Sequence, residues 1–234
     1  MSLVAGMDGC RTGWLCLIKD MATDCVNAKI LPNISGLLEL ETQPEVVTVD
    51  IPIGLTDWGP RECDRLARKY LKAPRASSVF PAPVRPVLEA TTYEQACQIG
   101  DKVNGRKLSR QLWAILPKIR EVDTFLRSDP TRQRWVREVL PEVCFWAWNN
   151  NKAMTHKKRS PSGKAEREAL LKPLYGNDYA RIQSNLPQGW YANDDLLDAF
   201  AALWSAERVV AGKAVVLPET VPVDSCGLRM EMVA

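Results

Sequence analysis

Five carboxylates are placed in the chain so that they could work together: Asp8, Asp50, Glu142, Asp195 and Asp198. Asp8 closes the apolar run LVAGMD, and Asp50 closes the apolar part of EVVTVDIPIGL. Asp195 and Asp198 sit three apart in ANDDLLDAFAALW, an apolar segment with helical spacing. Residues i and i+3 of a helix share a face, so both acids project from the same side of it. Carboxylates gathered at one point repel each other unless cations hold them. Oxygen donors without His or Cys suit a hard ion, so the expected cofactor is Mg²⁺ or Mn²⁺.

The elements that must gather these acids can be read from pattern. LVAGMD, WLCLI and CVNAKIL are short apolar or alternating runs separated by polar turns, which predicts a three-strand meander. SGLLELE is a short helix, and EVVTVD is a buried strand stopped by Pro52 and Gly54. If that strand lies parallel beside the first, Asp8 and Asp50 emerge at the same sheet edge, where open α/β sheets bind ligands. RWVREVLPEVCFWAW reads as a further strand to about Leu140, which brings Glu142 to that edge. GPRECDRLARKYLKA is a basic helix with Pro60 at its first position, and TTYEQACQIG opens on a Thr91-x-x-Glu94 capping box. Leu108, Leu112, Ile115, Ile119, Val122 and Leu126 recur at steps of four and three, marking a long amphipathic helix with Ser109 near its start. NNNKAMTHKKRSPSGK is a polar, basic loop, and AEREALLKPLYG is helical. The sum is one α/β domain over residues 1–234, with the proline- and arginine-rich stretch at about 58–105 read as an insertion.

Bulk properties fit that domain and exclude several classes. At 234 residues, with 46% hydrophobic and 25% charged composition, the chain can bury a sizeable core. A net charge of +3 permits a phosphate-bearing partner without requiring one. The seven cysteines are odd in number and lack any C-x-x-C, so neither a disulfide framework nor a zinc site is signalled. No stretch approaches membrane-spanning length and no leader pattern opens the sequence, so the expected setting is the cytoplasm, without a membrane partner.

Five stretches, GMDGCRTGW, VDIPIGL, LSRQLWAILPKIREVD, REVLPEVCFWA and DDLLDAFAALW, resemble a widespread group of predicted ribonuclease H-like nucleases over nearly the whole chain. That resemblance implies a ribonuclease H-like mixed five-stranded sheet, a three-strand meander plus parallel strands, flanked by helices. Asp8 matches the first-strand acid of the superfamily. Asp50 stands where RuvC-type resolvases carry a second acid, Asp here instead of Glu, and Asp195-Leu-Leu-Asp198-Ala is similar to their final D-x-x-D-A helix. The implied activity is two-metal hydrolysis of a phosphodiester in RNA or DNA. Under it Asp8 bridges two ions, Asp50 binds one, Asp195 or Asp198 binds the other, and Glu142 is a further ligand or orients water.

Each acid also has a local reading. Asp8 before Gly9 is an ordinary strand-to-turn pair, Asp50 also reads as a plain strand end, and Asp194 or Asp195 suits the N-cap of the last helix. His156, in the basic loop, reads as a solvated side chain. HKKRSPSGK and the Arg61–Arg75 stretch are either phosphate contacts or solvated faces, and Trp58 is the tryptophan best placed to be exposed for base stacking. Two further function classes stay open: a nucleotide-binding or phosphotransferase protein with an actin-like ATPase core, and a non-catalytic binding protein that kept the fold.

Overall fold

The computed structural model describes residues 2–187 and 189–234. β1 (Leu3–Cys10), β2 (Gly13–Asp20) and β3 (Cys25–Leu31) form an antiparallel meander. β4 (Val46–Val49) pairs parallel with the other side of β1, and β5 (Val136–Glu138) pairs parallel with β4. The sheet order is β3-β2-β1-β4-β5, which makes β1 its central strand. A parallel neighbour needs a crossover instead of a hairpin, and a short 3₁₀ helix at Ile34–Glu39 lies on the path from β3 to β4.

Helices cover both faces. α1 (Glu62–Arg75), broken at Lys72 and Ala73, and α2 (Tyr93–Asn104) fill the segment at about 58–105, with 3₁₀ turns at Ala76–Ser78 and Arg85–Glu89. α3 (Arg110–Ser128) is the amphipathic helix, running through Pro117 and capped by the Ser109 hydroxyl, which accepts from Leu112 N–H at 3.1 Å. α4 (Pro141–Trp148), α5 (Pro161–Asn185) and α6 (Asn193–Val210) follow. α2 and α3 join one core with Met7, Trp14, Val47 and Val49, whereas α4, α5 and α6 join the opposite core with Val4, Leu15, Leu17 and Val46. The result is a three-layer α/β/α arrangement.

Side chains alternate across a strand. Val4, Gly6, Asp8 and Cys10 therefore share the α6 side of β1, and Val46, Thr48 and Asp50 share it in and just past β4. Gly6 is where α6 comes closest: a Cβ there would stand 2.0 Å from Leu203 N and 2.6 Å from Ala199 O. Thr48 fastens the same helix, its hydroxyl donating to Ala202 O at 2.7 Å. The small residues Ala199, Ala201 and Ala202, all fully buried, leave room for this approach.

Several boundaries differ from the sequence reading. Arg61 is the N-cap of α1, so Pro60 lies before the first turn. Thr92, not Thr91, caps α2, and Gln95 in place of Glu94 reaches back to the Thr91 N–H and hydroxyl. RWVREVLPEVCFWAW divides into a three-residue strand and α4, because Pro141 suits a first helical position. α5 starts at Pro161, earlier than its periodicity indicated, with the Ser160 hydroxyl accepting from Gly163 N–H at 3.0 Å.

The last strands, β6 (Val216–Leu217) and β7 (Met232–Val233), pair antiparallel, and Arg137 of β5 donates to Glu231 beside them at 2.5 Å. All seven cysteines are free, four of them buried. Among the described residues no helix is long and apolar enough to cross a membrane.

Candidate metal centre

Asp8 and Asp50 leave neighbouring parallel strands in register, with Asp50 N–H donating to Met7 O at 3.0 Å. Asp198, one turn into α6, reaches them from above the sheet, because Gly6 and Thr48 hold that helix close. One carboxylate oxygen from each of Asp8, Asp50 and Asp198 lies within 4.8 Å of the others. Oxygens on opposite sides of a Mg²⁺ or Mn²⁺ ion stand about 4.2 Å apart, given ligand distances of about 2.1 Å, so a triad spanning no more than 4.8 Å needs only a small contraction to close on one ion.

Asp8 is only 8% exposed. Among the described residues its carboxylate has neither a hydrogen bond nor an ion pair, a condition that a buried charge tolerates poorly without a cation. Burial first, then the charges of Asp50, Asp198 and Asp195, pushes its pKa well above the usual carboxylate range, against the pull of Lys158. Burial and Asp198 push Asp50 to about 8. Burial also raises Asp198, although Lys158 opposes it. Three carboxyls raised together at one point would bind a divalent ion with release of protons.

The other two expected residues are placed differently. Asp195 is the N3 residue of α6 and accepts from Ala192 N–H through Oδ2 at 2.7 Å. The N-cap itself is Ala192, so Asp195 caps from N3 and is not the N-cap its sequence position suggested, yet it stays near enough to raise Asp8. Glu142 lies in the first turn of α4 and binds buried Arg167 at 2.5 Å, while its Oε2 has no partner. It is not one of the three converging acids.

Sequence reasoning missed the cation of the site. Lys158 donates to Asp198 Oδ2 at 2.6 Å and stands 3.6 Å from Asp194 Oδ2. Burial pulls its pKa down, but Asp198, Asp50 and Asp8 outweigh that and hold the ammonium above its ordinary value. Its loop was noted as basic; the signal was that a buried acid cluster needs a nearby positive charge. Lys118 of α3 flanks the opposite side, with Nζ 4.4 Å from the centre of the Trp14 ring and donating to Gly13 O at 2.5 Å. Burial lowers Lys118, against the pull of acids that include Asp8 and Asp195. His156 is exposed, as its loop setting suggested, and its backbone N–H donates to Glu166.

A second grouping, Cys63, Asp64 and Glu138, is spaced similarly. Arg61 already fills it, bonding Asp64 at 2.6 Å and both oxygens of Glu138 at 2.7 Å. Glu138 Oε2 also accepts from Ile53 N–H at 2.6 Å, which ties down the loop after Asp50. An ion there would have to expel a buried guanidinium, so the grouping is a structural clamp.

The family described as "Protein of unknown function (DUF429)" matches residues 6–222. This chain belongs to that family. The match takes in Asp8, Asp50 and Asp198, so all three converging acids of this DUF429 member lie within the family's own span. No curated protein and no solved structure matches the DUF429 chain.

Proposed function

We propose that this chain is a divalent-metal-dependent nuclease of ribonuclease H-like fold, hydrolysing phosphodiester bonds in RNA or DNA. The observation that carries the reading is the unpartnered, buried Asp8 carboxylate beside Asp50 and Asp198 at the carboxyl ends of parallel strands. The order of a three-strand meander followed by two parallel strands, with a D-x-x-D helix laid over the first strand, supports the ribonuclease H-like assignment.

Asp8, Asp50 and Asp198 would hold Mg²⁺ or Mn²⁺, which supplies an activated water and neutralises charge on the phosphoryl oxygens. The protein's own part is positioning. β1 and β4 fix two carboxylates on a rigid sheet, α6 fixes the third, and Lys158 offers a positive charge beside them. Arg159, whose side chain is 80% exposed, extends the positive charge outward from the site. Trp58, in the loop after Asp50, is 78% exposed and free to stack on a base.

The test is a cleavage panel of labelled single-stranded RNA, single-stranded DNA, duplexes, hybrids and four-way junctions in Mn²⁺ and Mg²⁺, with Asp8→Asn purified in parallel. Cleavage by the wild type that vanishes in chelator and in Asp8→Asn is the expected result. Equal cleavage by both proteins, or none on any substrate, would reject the nuclease reading.

A further inference from the structure

The five acids singled out in the sequence do not all point at the same place. Only Asp8, Asp50 and Asp198 converge; Asp195 is engaged by the Ala192 N–H and Glu142 by Arg167. Beside Asp198 the structure already has a cation: the Lys158 ammonium, whose Nζ sits 2.6 Å from Asp198 Oδ2 and 3.6 Å from Asp194. Asp8 and Asp50 have no side-chain partner among the described residues. We propose that the centre takes a single divalent cation and that Lys158 stands in for a second one, an inference that rests on the metal-dependent reading above.

Charge supports that count. With Asp194 paired to Arg159 at 3.1 Å and Asp195 turned to the Ala192 N–H, the three converging carboxylates, one ammonium and one divalent cation sum to zero formal charge. A second divalent ion beside a seated lysine would leave an excess of positive charge in a largely buried site, which is costly without compensating ligands. A fixed ammonium can also stabilise negative charge growing on a phosphoryl oxygen without taking coordination positions from the ion.

The lysine's seat is built into the fold. Ser160 donates to Lys157 O through its N–H at 2.9 Å and its hydroxyl at 2.8 Å, closing a tight turn around Lys158. The start of α5 presses onto the same carbonyl: a Cβ on Gly163 would lie 1.9 Å from Lys157 O, so this contact requires glycine. Upstream, the Thr155 and His156 N–H groups both donate to Glu166 of α5. Downstream, Arg159 binds Asp194 at 3.1 Å. Both flanks of Lys158 are therefore anchored, one to α5 and the other to α6.

Counting Mn²⁺ bound per full-length chain, by isothermal titration calorimetry and by electron paramagnetic resonance of free ion, tests the assignment without any substrate. One ion per chain is expected for the wild type and for Lys158→Arg. Lys158→Met should either take up a second ion or bind the first at least about tenfold more tightly, because a repelling charge is gone. Lys158→Gln, read the same way, guards against a Met variant that fails to fold, and circular dichroism melts show which variants are native. Two ions on the wild type would overturn the single-ion assignment while leaving the metal-dependent reading standing. So would a folded Lys158→Met that binds one ion with wild-type affinity. No Mn²⁺ on the wild type would defeat the metal-dependent reading itself.

Discussion

Asp8 is a charge confined among other charges, and that confinement makes its contribution to stability opposite in sign to its contribution to binding. Replacing it with Asn keeps the shape and removes the repulsion. Asp8→Asn should abolish Mn²⁺ binding in calorimetry while raising the metal-free melting temperature. Asp50 gives the pH form of the same argument. Its carboxyl titrates near 4 in the unfolded chain and at about 8 in the folded one, so the folded state holds the extra proton between those values. Its stabilising contribution is complete below about pH 4 and is lost as the pH climbs through 8. The wild type without metal should therefore lose stability relative to Asp50→Asn across that window. Adding Mn²⁺ should reverse the slope, since the ion binds the deprotonated carboxylates. Denaturant melts at several pH values, with and without Mn²⁺, read both signs; parallel curves for the two proteins would refute the assignment of that burial to Asp50.

At the scale of elements, α6 lying directly on β1 aligns the triad. Gly6→Ala puts a Cβ into the Leu203 backbone and must push the helix outward. Overpacking of this kind costs about 1–3 kcal/mol, and backbone in place of side chain as the obstacle points to the upper end. Urea melts should show that loss, and Mn²⁺ affinity should fall with it because Asp198 moves with the helix. Unchanged affinity would mean that α6 does not set the site. Much of this arrangement was legible in the sequence. Alternating apolar runs gave the meander, and the apolar run ending at Asp50 gave the neighbouring strand. The limits were local and chemical. Nothing in the pattern separates Asp195, which turns back to cap its helix, from Asp198, which does not. Glu142 looked free until Arg167, 25 positions along, proved to face it. Lys158 was hidden because its partner is 40 positions away and its neighbours are equally basic.

For the molecule as a whole, the segment at about 58–105 is held to the sheet by a guanidinium. Arg61, almost wholly buried, joins Asp64 of α1 to Glu138 of β5 and also donates to Ile53 O at 3.0 Å. Arg61→Met leaves two buried carboxylates unpaired, a change that typically costs about 3–5 kcal/mol. The expected outcome is a large drop in melting temperature, with proteolysis between β4 and α3 accelerated; a native-like melt would show that the apolar contacts of α1 suffice. The sequence showed this arginine only as one of several in a basic helix, because its partner lies 77 positions away.

The triad draws its members from the first strand, the fourth strand and the last helix. On a ribosome, Asp8 and Asp50 are made early, and the meander that carries Asp8 can begin to pair while most of the chain is still unwritten. Asp198 arrives only after all five strands of the main sheet have emerged. A partly synthesised chain, or one clipped ahead of α6, therefore carries the sheet but cannot close the carboxylate triad. Under the metal-dependent reading, capture of the ion would come with the last stage of biosynthesis, and an incomplete copy would lack it.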